Sequence, residues 1–297
     1  MHSLPGGSPA RNDAENAPEP LLSWRVPVEP PTLPAPVASL LEGCAFVEIM
    51  RSYPAPSRVY HAARPGAPGH YLKVGSCLRR ERDRLRWLRG RFPVAEVERY
   101  AERGGRGYLL MAELPGRPAT SPDLAGDPDG VVRAVARAVR SLHSVPVDRC
   151  PFTAPAGRQL AAAARAVRLG RVRRPQLTWY YRHLEPEAIL RRALSLRPPR
   201  ERAVFTHGDC CLPNVLIPDH GPAAMVDLGM AGVSDPWCDL ALMARSIQDN
   251  FGLRWVDAFF AEYGEAVDER RLEFFALVDE LTMMRPPTPL PPGTGAP

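Results

Sequence analysis

The order of secondary-structure patterns along the 297-residue chain is the feature that most limits its possible folds. Residues 57–64 and 70–75 read as strands separated by Pro-Gly-Ala-Pro-Gly, which predicts a β-hairpin. Further strand-like runs occupy 94–103 and 107–114, whereas helical spacing of apolar residues dominates from residue 131 onward. These patterns predict an α+β, bilobal protein with a β-rich N-terminal lobe, a mainly helical C-terminal lobe and a ligand cleft between them.

Helices are predicted in both lobes. An amphipathic helix is expected at 77–92, where Leu78, Leu85 and Leu88 recur near helical spacing among charged residues. The helices predicted in the C-terminal lobe cover 131–145, 157–170, 185–197 and three segments that begin at Trp237, Trp255 and Arg270. Short apolar strands are predicted within 204–217 and 223–232.

The two ends of the chain differ in composition from the rest. Residues 1–35 are rich in Pro, Gly, Ala and Asn without a hydrophobic period, and we expect a disordered leader there. The Pro-rich residues 286–297 predict a flexible tail in the same way. This leaves an N-terminal lobe at 36–115 and a C-terminal lobe at 116–285.

Composition excludes several classes of protein. Hydrophobic residues make up 45% of the chain and charged residues 24%, as in ordinary globular proteins. No run approaches the ~20 apolar residues of a membrane helix, and the N-terminus lacks the pattern of a secretory signal. Six scattered cysteines show no CxxC spacing, so we expect reduced thiols in a cytoplasmic protein. The net charge of +5 comes from arginines spread along the chain, with no basic run interleaved with aromatic residues, so nucleic-acid binding is not expected. No obligate protein partner is evident from the sequence.

Lys73 is the one lysine among 38 basic residues. Wherever either cation would serve, this sequence uses arginine. A single surviving lysine therefore indicates a site that needs a compact ammonium group, with chance survival as the alternative. Glu81, on the predicted amphipathic helix, is a candidate to orient that ammonium group, and the alternative is a solvated glutamate on the helix surface.

Two polar clusters carry the strongest chemical signal. His207-Gly208-Asp209 begins a segment that ends at Asn214, and Asp227-Leu228-Gly229 follows 13 residues later, each cluster behind a short apolar stretch. Phosphoryl transfer needs a carboxylate beside the attacking hydroxyl, and an amide oxygen and a second carboxylate to hold Mg²⁺ on the phosphates. Asp209 fits the first role, and Asn214 and Asp227 fit the second. Either motif alone would be read as a turn; their order favours the catalytic interpretation.

The sequence resembles the aminoglycoside phosphotransferases, especially the 3′-type, which share the protein-kinase fold. The resemblance runs from about residue 45 to residue 281. Its motifs are Tyr71-Leu72-Lys73, Glu81, Arg84-Leu85-Arg86-Trp87-Leu88, Leu109-Leu110-Met111, Leu142-His143-Ser144, Cys150-Pro151-Phe152, Asp209 to Asn214, Val226-Asp227-Leu228-Gly229, Asp239-Leu240-Ala241, Ala244-Arg245-Ser246-Ile247 and Leu277-Val278-Asp279-Glu280.

The resemblance implies a role for each matching residue. Asp209 would be the catalytic base, and Asn214 and Asp227 the Mg²⁺ ligands. Lys73 would contact the phosphates of ATP or GTP, with Glu81 as its ion-pair partner. The activity implied is transfer of the γ-phosphate to a hydroxyl of an aminoglycoside antibiotic, which confers resistance.

Further nucleotide contacts follow from the same resemblance. Tyr71 would stack on adenine, and the backbone at Ala112 and Leu114 would read the adenine edge. The stretch Tyr53–Ser57, ending at Ser57, would be the loop over the phosphates.

The chain departs from the family in its acceptor region. Before the helix at 185–197 the 3′-type enzymes carry an acid-rich stretch, but residues 173–182 here are basic and aromatic. Met230 stands where an arginine is common, and sixteen residues follow Leu281, where the family usually ends just after this point. These changes leave the residues expected to bind phosphate and Mg²⁺ intact, and they alter the region expected to bind the acceptor.

Only a few residues remain to meet the amines of a polycationic sugar. The acceptor-site candidates are Asp249, Asp279, Glu280 and, on the same helix as Asp249, Arg245. In the alternative interpretation Asp249 is a solvated helix residue, and the other two acids pair with Arg270 or Arg271.

Three functions are compatible with these residues. The first is an aminoglycoside kinase. The second is a kinase of the same fold that acts on a less cationic hydroxyl, such as a biosynthetic intermediate, which the altered 173–182 stretch favours. The third is a nucleotide-binding pseudokinase that binds partner domains through its Pro-rich ends. The presence of Asp209, Asn214, Asp227 and Lys73 together argues against the third.

Overall fold

The computed structural model describes residues 23–51 and 57–282, which form two units. The sheet unit consists of the described residues up to 118 together with 213–230, and the helical unit consists of 119–212 and 231–282. The α+β class predicted from the sequence is confirmed, with the long antiparallel strands in one unit and most of the helices in the other.

A six-stranded antiparallel sheet forms the centre of the sheet unit, in the order β1-β2-β3-β4-β6-β5. Its strands are β1 (Ser23–Val28), β2 (Ala45–Arg51), β3 (Ser57–Ala63), β4 (His70–Gly75), β5 (Val97–Arg103) and β6 (Arg106–Ala112). The predicted hairpin is confirmed, because β3 pairs with β4 and Tyr60 lies opposite Leu72. β4 is hydrogen-bonded on both edges, to β3 and to β6.

The two faces of β4 carry different side chains. Successive residues of a strand point to opposite faces, so Leu72 and Val74 share one face while Tyr71 and Lys73 share the other. Leu72 and Val74 belong to a buried apolar cluster. The other buried members of that cluster are Val37, Leu41, Phe46, Tyr60, Ala62, Tyr108 and Leu110. Lys73 therefore projects from a strand held on both sides, on the face away from this core.

The described residues of the sheet unit also contain two α-helices. The short helix α1 (Ala35–Ala38) lies between β1 and β2, and helix α2 (Leu78–Leu88) follows β4. Its buried residues recur every three or four positions, as the amphipathic pattern predicted: they are Leu78, Glu81, Leu85 and Leu88. The helix ends before the predicted residue 92, because Gly90 takes a left-handed backbone with φ of +75°. Glu81 thus brings a carboxylate to the buried face of α2, where it needs a partner.

Three short strands complete the sheet unit. They are β7 (Arg117–Pro118), β9 (Val215–Ile217) and β10 (Ala224–Met225), in the order β10-β9-β7. Because β9 pairs with β7, residues 213–230 pack with the sheet unit, although the sequence analysis assigned them to a C-terminal lobe beginning at 116.

The helical unit contains the helices predicted from apolar spacing. They are α3 (Pro128–His143), α4 (Ala156–Arg168), α5 (Pro186–Leu196), α6 (Trp237–Phe251), α7 (Arg254–Tyr263) and α8 (Glu269–Thr282). α8 packs against α4, α5 and α6, and α3 packs against α7. The strands β8 (Val204–Thr206) and β11 (Gly232–Ser234) pair antiparallel. None of the helices in the described part of the chain is long and apolar enough to span a membrane.

The expectation of a disordered leader over 1–35 is wrong for its last third. Ser23–Val28 is paired with β2 along its whole length. Pro27 lies in this strand, and because β1 is at the edge of the sheet, the missing N–H of proline is tolerated. Residues 1–22 of the leader, Tyr53–Pro56 of the predicted phosphate loop and the tail from Pro286 lie outside the described residues.

Candidate active site

Lys73 has two carboxylate partners. Its Nζ lies 2.7 Å from Glu81 Oε2 and 2.8 Å from Asp227 Oδ1. Lys73 is 7% exposed and Glu81 is 4% exposed, so neither is a solvated surface residue. Burial opposes the charged form, but the carboxylates of Asp227 and Glu81 outweigh it and raise the pKa of Lys73 above its ordinary value. The side chain is therefore an ammonium group fixed between β4, α2 and the turn after β10.

Asn214 and Asp227 lie at the same end of the β9–β10 pair. Asn214 directly precedes β9, and the backbone N–H of Val226, just after β10, donates to the Asn214 carbonyl at 3.0 Å. Asp227 has φ of +62°, in the left-handed region that Asp adopts more readily than most residues. This conformation turns the chain immediately after β10, at the residue whose carboxylate contacts Lys73.

The chemistry of these two side chains suits a magnesium ion that arrives with a nucleotide. Mg²⁺ prefers oxygen ligands, and it commonly takes only one or two from protein while phosphates and water supply the rest. Asn214 offers an amide oxygen and Asp227 a carboxylate. Among residues 23–51 and 57–282, no group of three or more His, Cys, Asp or Glu side chains is arranged to hold a metal ion.

The loop that carries Asp209 follows β8 and is anchored to helix α6. The two carboxylate oxygens of Asp239 accept hydrogen bonds from the backbone N–H groups of residues 207 and 208, at 2.6 and 2.8 Å. Beyond Asp209, the N–H of Leu212 donates to Ser246 Oγ at 3.1 Å. The loop is thus tied to α6 on both sides of Asp209, and all of these bonds come from its backbone.

Asp239 is itself held by a buried network. It is 0% exposed, and its Oδ2 lies 3.0 Å from His143 Nε2 on α3, while His143 Nδ1 lies 2.8 Å from Tyr263 Oη on α7. Burial alone would raise the pKa of Asp239, but the hydrogen bond with His143 and the backbone of His207 hold it below its ordinary value. His143 and Asp239 belong to motifs shared with the family, but no role for either residue was predicted from the sequence. The usable signal was an acidic residue inside the apolar run of α6.

The four acceptor-site candidates come together in the helical unit. We call them the acidic cluster, formed by Arg245, Asp249, Asp279 and Glu280. Arg245 Nη2 lies 2.6 Å from Asp279 Oδ2, and its Nη1 lies 3.7 Å from Glu280 Oε2. Burial opposes the charge of Arg245, but the Asp279 and Glu280 carboxylates raise its pKa.

The alternative partners suggested by the sequence are not the ones found. Arg270 donates to the backbone carbonyls of residues 195 and 196, and Arg271 pairs with Asp235 and Asp268. Asp249 is not a solvated helix residue either, because Tyr180 donates a hydrogen bond to it at 2.6 Å. The acids therefore have partners that lie far away in the sequence.

The remaining nucleotide-site candidates belong to the sheet unit. Tyr71 lies on the face of β4 that points away from the apolar cluster, and Ser57 begins β3. Ala112 ends β6, but its N–H donates to the Glu96 carbonyl at 3.0 Å, so this amide is not available to read a base. Leu114 lies two residues beyond β6. The roles of Tyr71, Ser57, Leu114 and the backbone of Ala112 stay predictions, because the N–H of Ala112 is only one of its two backbone groups.

Exchanging Lys73 for arginine is expected to lower kcat/KM by about 10²-fold. The guanidinium group is larger and planar, and in the buried site it would displace the carboxylates of Glu81 and Asp227 that contact Lys73. A shift of about 1 Å in such groups can change a rate by that factor. Steady-state kinetics of Lys73→Arg beside wild type measure the effect. Arg86→Lys, an exposed change of cation on α2, is the control and should leave kcat/KM unaltered. Equal kinetics for Lys73→Arg and wild type would mean that Lys73 has no special role.

The fold and these residues define a kinase-like phosphotransferase. Residues 76–275 match the family described as "Phosphotransferase enzyme family". The chain belongs to this phosphotransferase family.

Three similar proteins illustrate the relationship. An aminoglycoside 3′-phosphotransferase of Niallia circulans is 31% identical over 229 residues, which cover 75% of this chain and 87% of that protein. The crystal structure of an aminoglycoside-3′-phosphotransferase of type VIII has a TM-score of 0.72 at 30% identity, covering 83% of this chain and 96% of the other. The aminoglycoside phosphotransferase APH(3″)-Id from Streptomyces rimosus, in complex with ADP and streptomycin, has a TM-score of 0.66 at 31% identity, covering 76% and 90%. The resemblance inferred from the sequence is confirmed.

Proposed function

We propose that this protein transfers the γ-phosphate of ATP to a hydroxyl group of an aminoglycoside and thereby inactivates the antibiotic. The observation that carries the proposal is the buried ammonium group of Lys73 between the carboxylates of Glu81 and Asp227. A positive charge held in a fixed position is suited to binding a polyanion such as a nucleoside triphosphate. Similar proteins bind ADP or are named for aminoglycoside phosphorylation, which supports the same substrates here.

The residues of the sheet unit would bind the nucleotide. Lys73 would contact the α- and β-phosphates, and Glu81 would hold the ammonium group in place. Asn214 and Asp227 would hold Mg²⁺, which when bound neutralises charge on the phosphates. Because Lys73 is already paired with Asp227, the phosphate-binding and the metal-binding side chains are positioned together before any nucleotide arrives.

Asp209 in the helical unit would act on the acceptor. Its carboxylate would accept the proton of the attacking hydroxyl as the oxygen bonds to the γ-phosphorus. Two anchors on α6, Asp239 and Ser246, hold the loop backbone on either side and so limit how far this carboxylate can shift.

The proposed reaction implies a cytoplasmic protein, because ATP is a substrate. None of the six cysteines, all of which lie among the described residues, forms a disulfide, and reduced thiols are typical of that compartment. Cys210 and Cys238 are buried, and burial raises the pKa of both thiols well above the ordinary value, so these two are poorly reactive.

A coupled assay for ADP release tests the proposal. The purified full chain is given ATP, Mg²⁺ and one of several aminoglycosides, and ADP should form only when an acceptor is present. Mass spectrometry of the acceptor should show one added phosphate. A matched reaction without Mg²⁺ should be inactive.

Two other outcomes would replace the proposal. ADP formation with a hydroxyl compound that lacks cationic groups, and none with aminoglycosides, would assign the chain to a less cationic acceptor. Tight nucleotide binding without turnover on any acceptor would assign it to the pseudokinases.

A further inference from the structure

Residues 178–180, which we call the aromatic segment, dock on the acidic cluster. The backbone N–H of Thr178 and its Oγ1 both donate to the Glu280 carboxylate, the hydroxyl at 3.0 Å. Two residues later, Tyr180 Oη donates to Asp249 Oδ1 at 2.6 Å. The basic and aromatic stretch that replaces the family's acid-rich one is therefore bound to the acids expected to receive the acceptor.

Each acid of the cluster already has a donor from the protein. Asp279 is paired with Arg245, Glu280 accepts from Thr178, and Asp249 accepts from Tyr180. Asp279 and Glu280 are only 8% and 2% exposed. An ammonium group of the acceptor would have to displace one of these donors, and Asp249, which is half-buried, is the acid with the greatest access to solvent.

The Tyr180 hydroxyl is a durable partner for Asp249. Burial, and to a smaller extent the nearby Asp249 carboxylate, raises the pKa of Tyr180 far above its ordinary value. The phenol therefore keeps its proton at every physiological pH and continues to donate it. Asp249 is withheld from amines by a group that does not titrate away.

Trp179 is the part of the aromatic segment that faces solvent. It is 46% exposed, and its ring stacks on Tyr180 with centroids 3.9 Å apart and an angle of 29° between the planes. The stacking partner is itself tied to Asp249, so the indole is supported from behind. An exposed indole held in this way is a surface on which a planar cation can stack.

Helix α6 contacts both the aromatic segment and the loop that carries Asp209. Ser246, which holds Leu212, lies three residues before Asp249, a rise of roughly 4.5 Å on the same side of the helix. Asp209 lies three residues before Leu212. Within the helical unit, one helix thus positions both the proposed base and the residue that Tyr180 covers.

We propose that Trp179 and Tyr180 select the acceptor, an inference that rests on the proposed function. Trp179 stacks a planar guanidinium group of the aminoglycoside, and Tyr180 keeps Asp249 from compact ammonium groups. The enzyme therefore prefers a guanidinium-bearing acceptor, such as streptomycin, to one whose cations are amines, such as kanamycin. Guanidinium groups stack on aromatic faces and are less strongly hydrated than ammonium groups, which is the physical basis of the preference.

Two substitutions separate the two parts of this mechanism. Trp179→Ala removes the stacking surface and is expected to raise the KM for streptomycin about 3- to 30-fold, with kcat changed less than about twofold. Tyr180→Phe retains the ring but removes the hydroxyl that donates to Asp249, and it is expected to lower the KM for kanamycin about two- to tenfold. The pair of variants is measured against both acceptors at saturating ATP.

Each variant has a matched control. Tyr108→Phe removes a buried phenol from the apolar cluster of the sheet unit, outside the acidic cluster. Leu194→Ala removes an apolar side chain of α5 that is 52% exposed, close to the exposure of Trp179. Both controls should keep the wild-type KM for either acceptor.

Binding measured by calorimetry distinguishes failure of this inference from failure of the proposed function. Streptomycin is titrated into wild type, Trp179→Ala and Leu194→Ala in the presence of ADP. If Trp179→Ala binds streptomycin more weakly than both wild type and Leu194→Ala, the selection mechanism is supported. Absence of turnover by wild type would contradict only the proposed function. The inference is overturned if all three proteins bind streptomycin equally or if none binds it. It is also overturned if Tyr180→Phe leaves the ratio of the kanamycin KM to the streptomycin KM unchanged.

Discussion

Asp209→Ala is expected to lower kcat by about 10²- to 10⁴-fold, while the affinity for ATP changes little. A positioned general base contributes about this much to a rate. The contacts that hold the loop run from its backbone to Asp239 and Ser246, so removing the Asp209 side chain leaves these anchors in place. The residues proposed to bind phosphate, among them Lys73, lie in the sheet unit and are not altered.

Turnover and nucleotide binding are measured separately to check this prediction. ADP release at saturating aminoglycoside gives kcat, and calorimetric titration with ADP gives the nucleotide affinity. Asp257→Ala, which removes an exposed carboxylate from α7 of the same unit, is the control and should behave as wild type. Retention of more than about a tenth of wild-type kcat by Asp209→Ala would be incompatible with a general-base role.

Asp239→Ala is expected to lower the free energy of unfolding by about 3–5 kcal/mol. The carboxylate is fully buried and accepts from two backbone N–H groups as well as contacting His143, so its removal strands several polar groups in the interior. The released loop also carries Asp209, and kcat should therefore fall in whatever fraction of the variant remains folded.

Urea unfolding followed by circular dichroism measures the loss of stability, and its pH dependence provides a second readout. The pKa of Asp239 is lowered in the folded protein, so the charged carboxylate stabilises the fold above the unfolded-state pKa of about 3.9 and loses this effect as the pH falls through the folded value. The difference between wild type and variant should be complete near neutral pH and shrink below about pH 4. A difference under about 1 kcal/mol at neutral pH would contradict the anchoring role.

Much of the fold could be predicted from local patterns. The β3–β4 hairpin is marked by two strand-like runs around a Pro- and Gly-rich turn, and both strands were found within a residue of their predicted ends. Helix α4 was expected at 157–170 and lies at Ala156–Arg168. In contrast, the strand Ser23–Val28 was not predicted, because this proline-containing segment resembles a disordered segment in its local composition.

The candidate site was predictable in its residue types and less so in its contacts. The scarcity of lysine singled out Lys73, and the family resemblance suggested Glu81 as its partner, the pair that the structure contains. Neither argument predicted that Lys73 also contacts Asp227, which lies 154 residues away. Sequence spacing carries no information on such pairs, because their distance depends on how the folded chain places the turn after β10 beside β4 and α2.

The sequence by itself determined the chemistry available to this protein: one ammonium group, the carboxylates and amide of two short motifs, and the alternation that makes one half β-rich and the other helical. Those properties are local, since residue type and periodicity act over a few neighbouring positions. Only the tertiary structure decided that Asp239 anchors the loop that carries Asp209 and that Tyr180 and Thr178 donate to Asp249 and Glu280, over separations of 69 and 102 residues. Burial explains the difference, because a carboxylate removed from water must find a donor wherever the packing of α5, α6 and α8 brings one close.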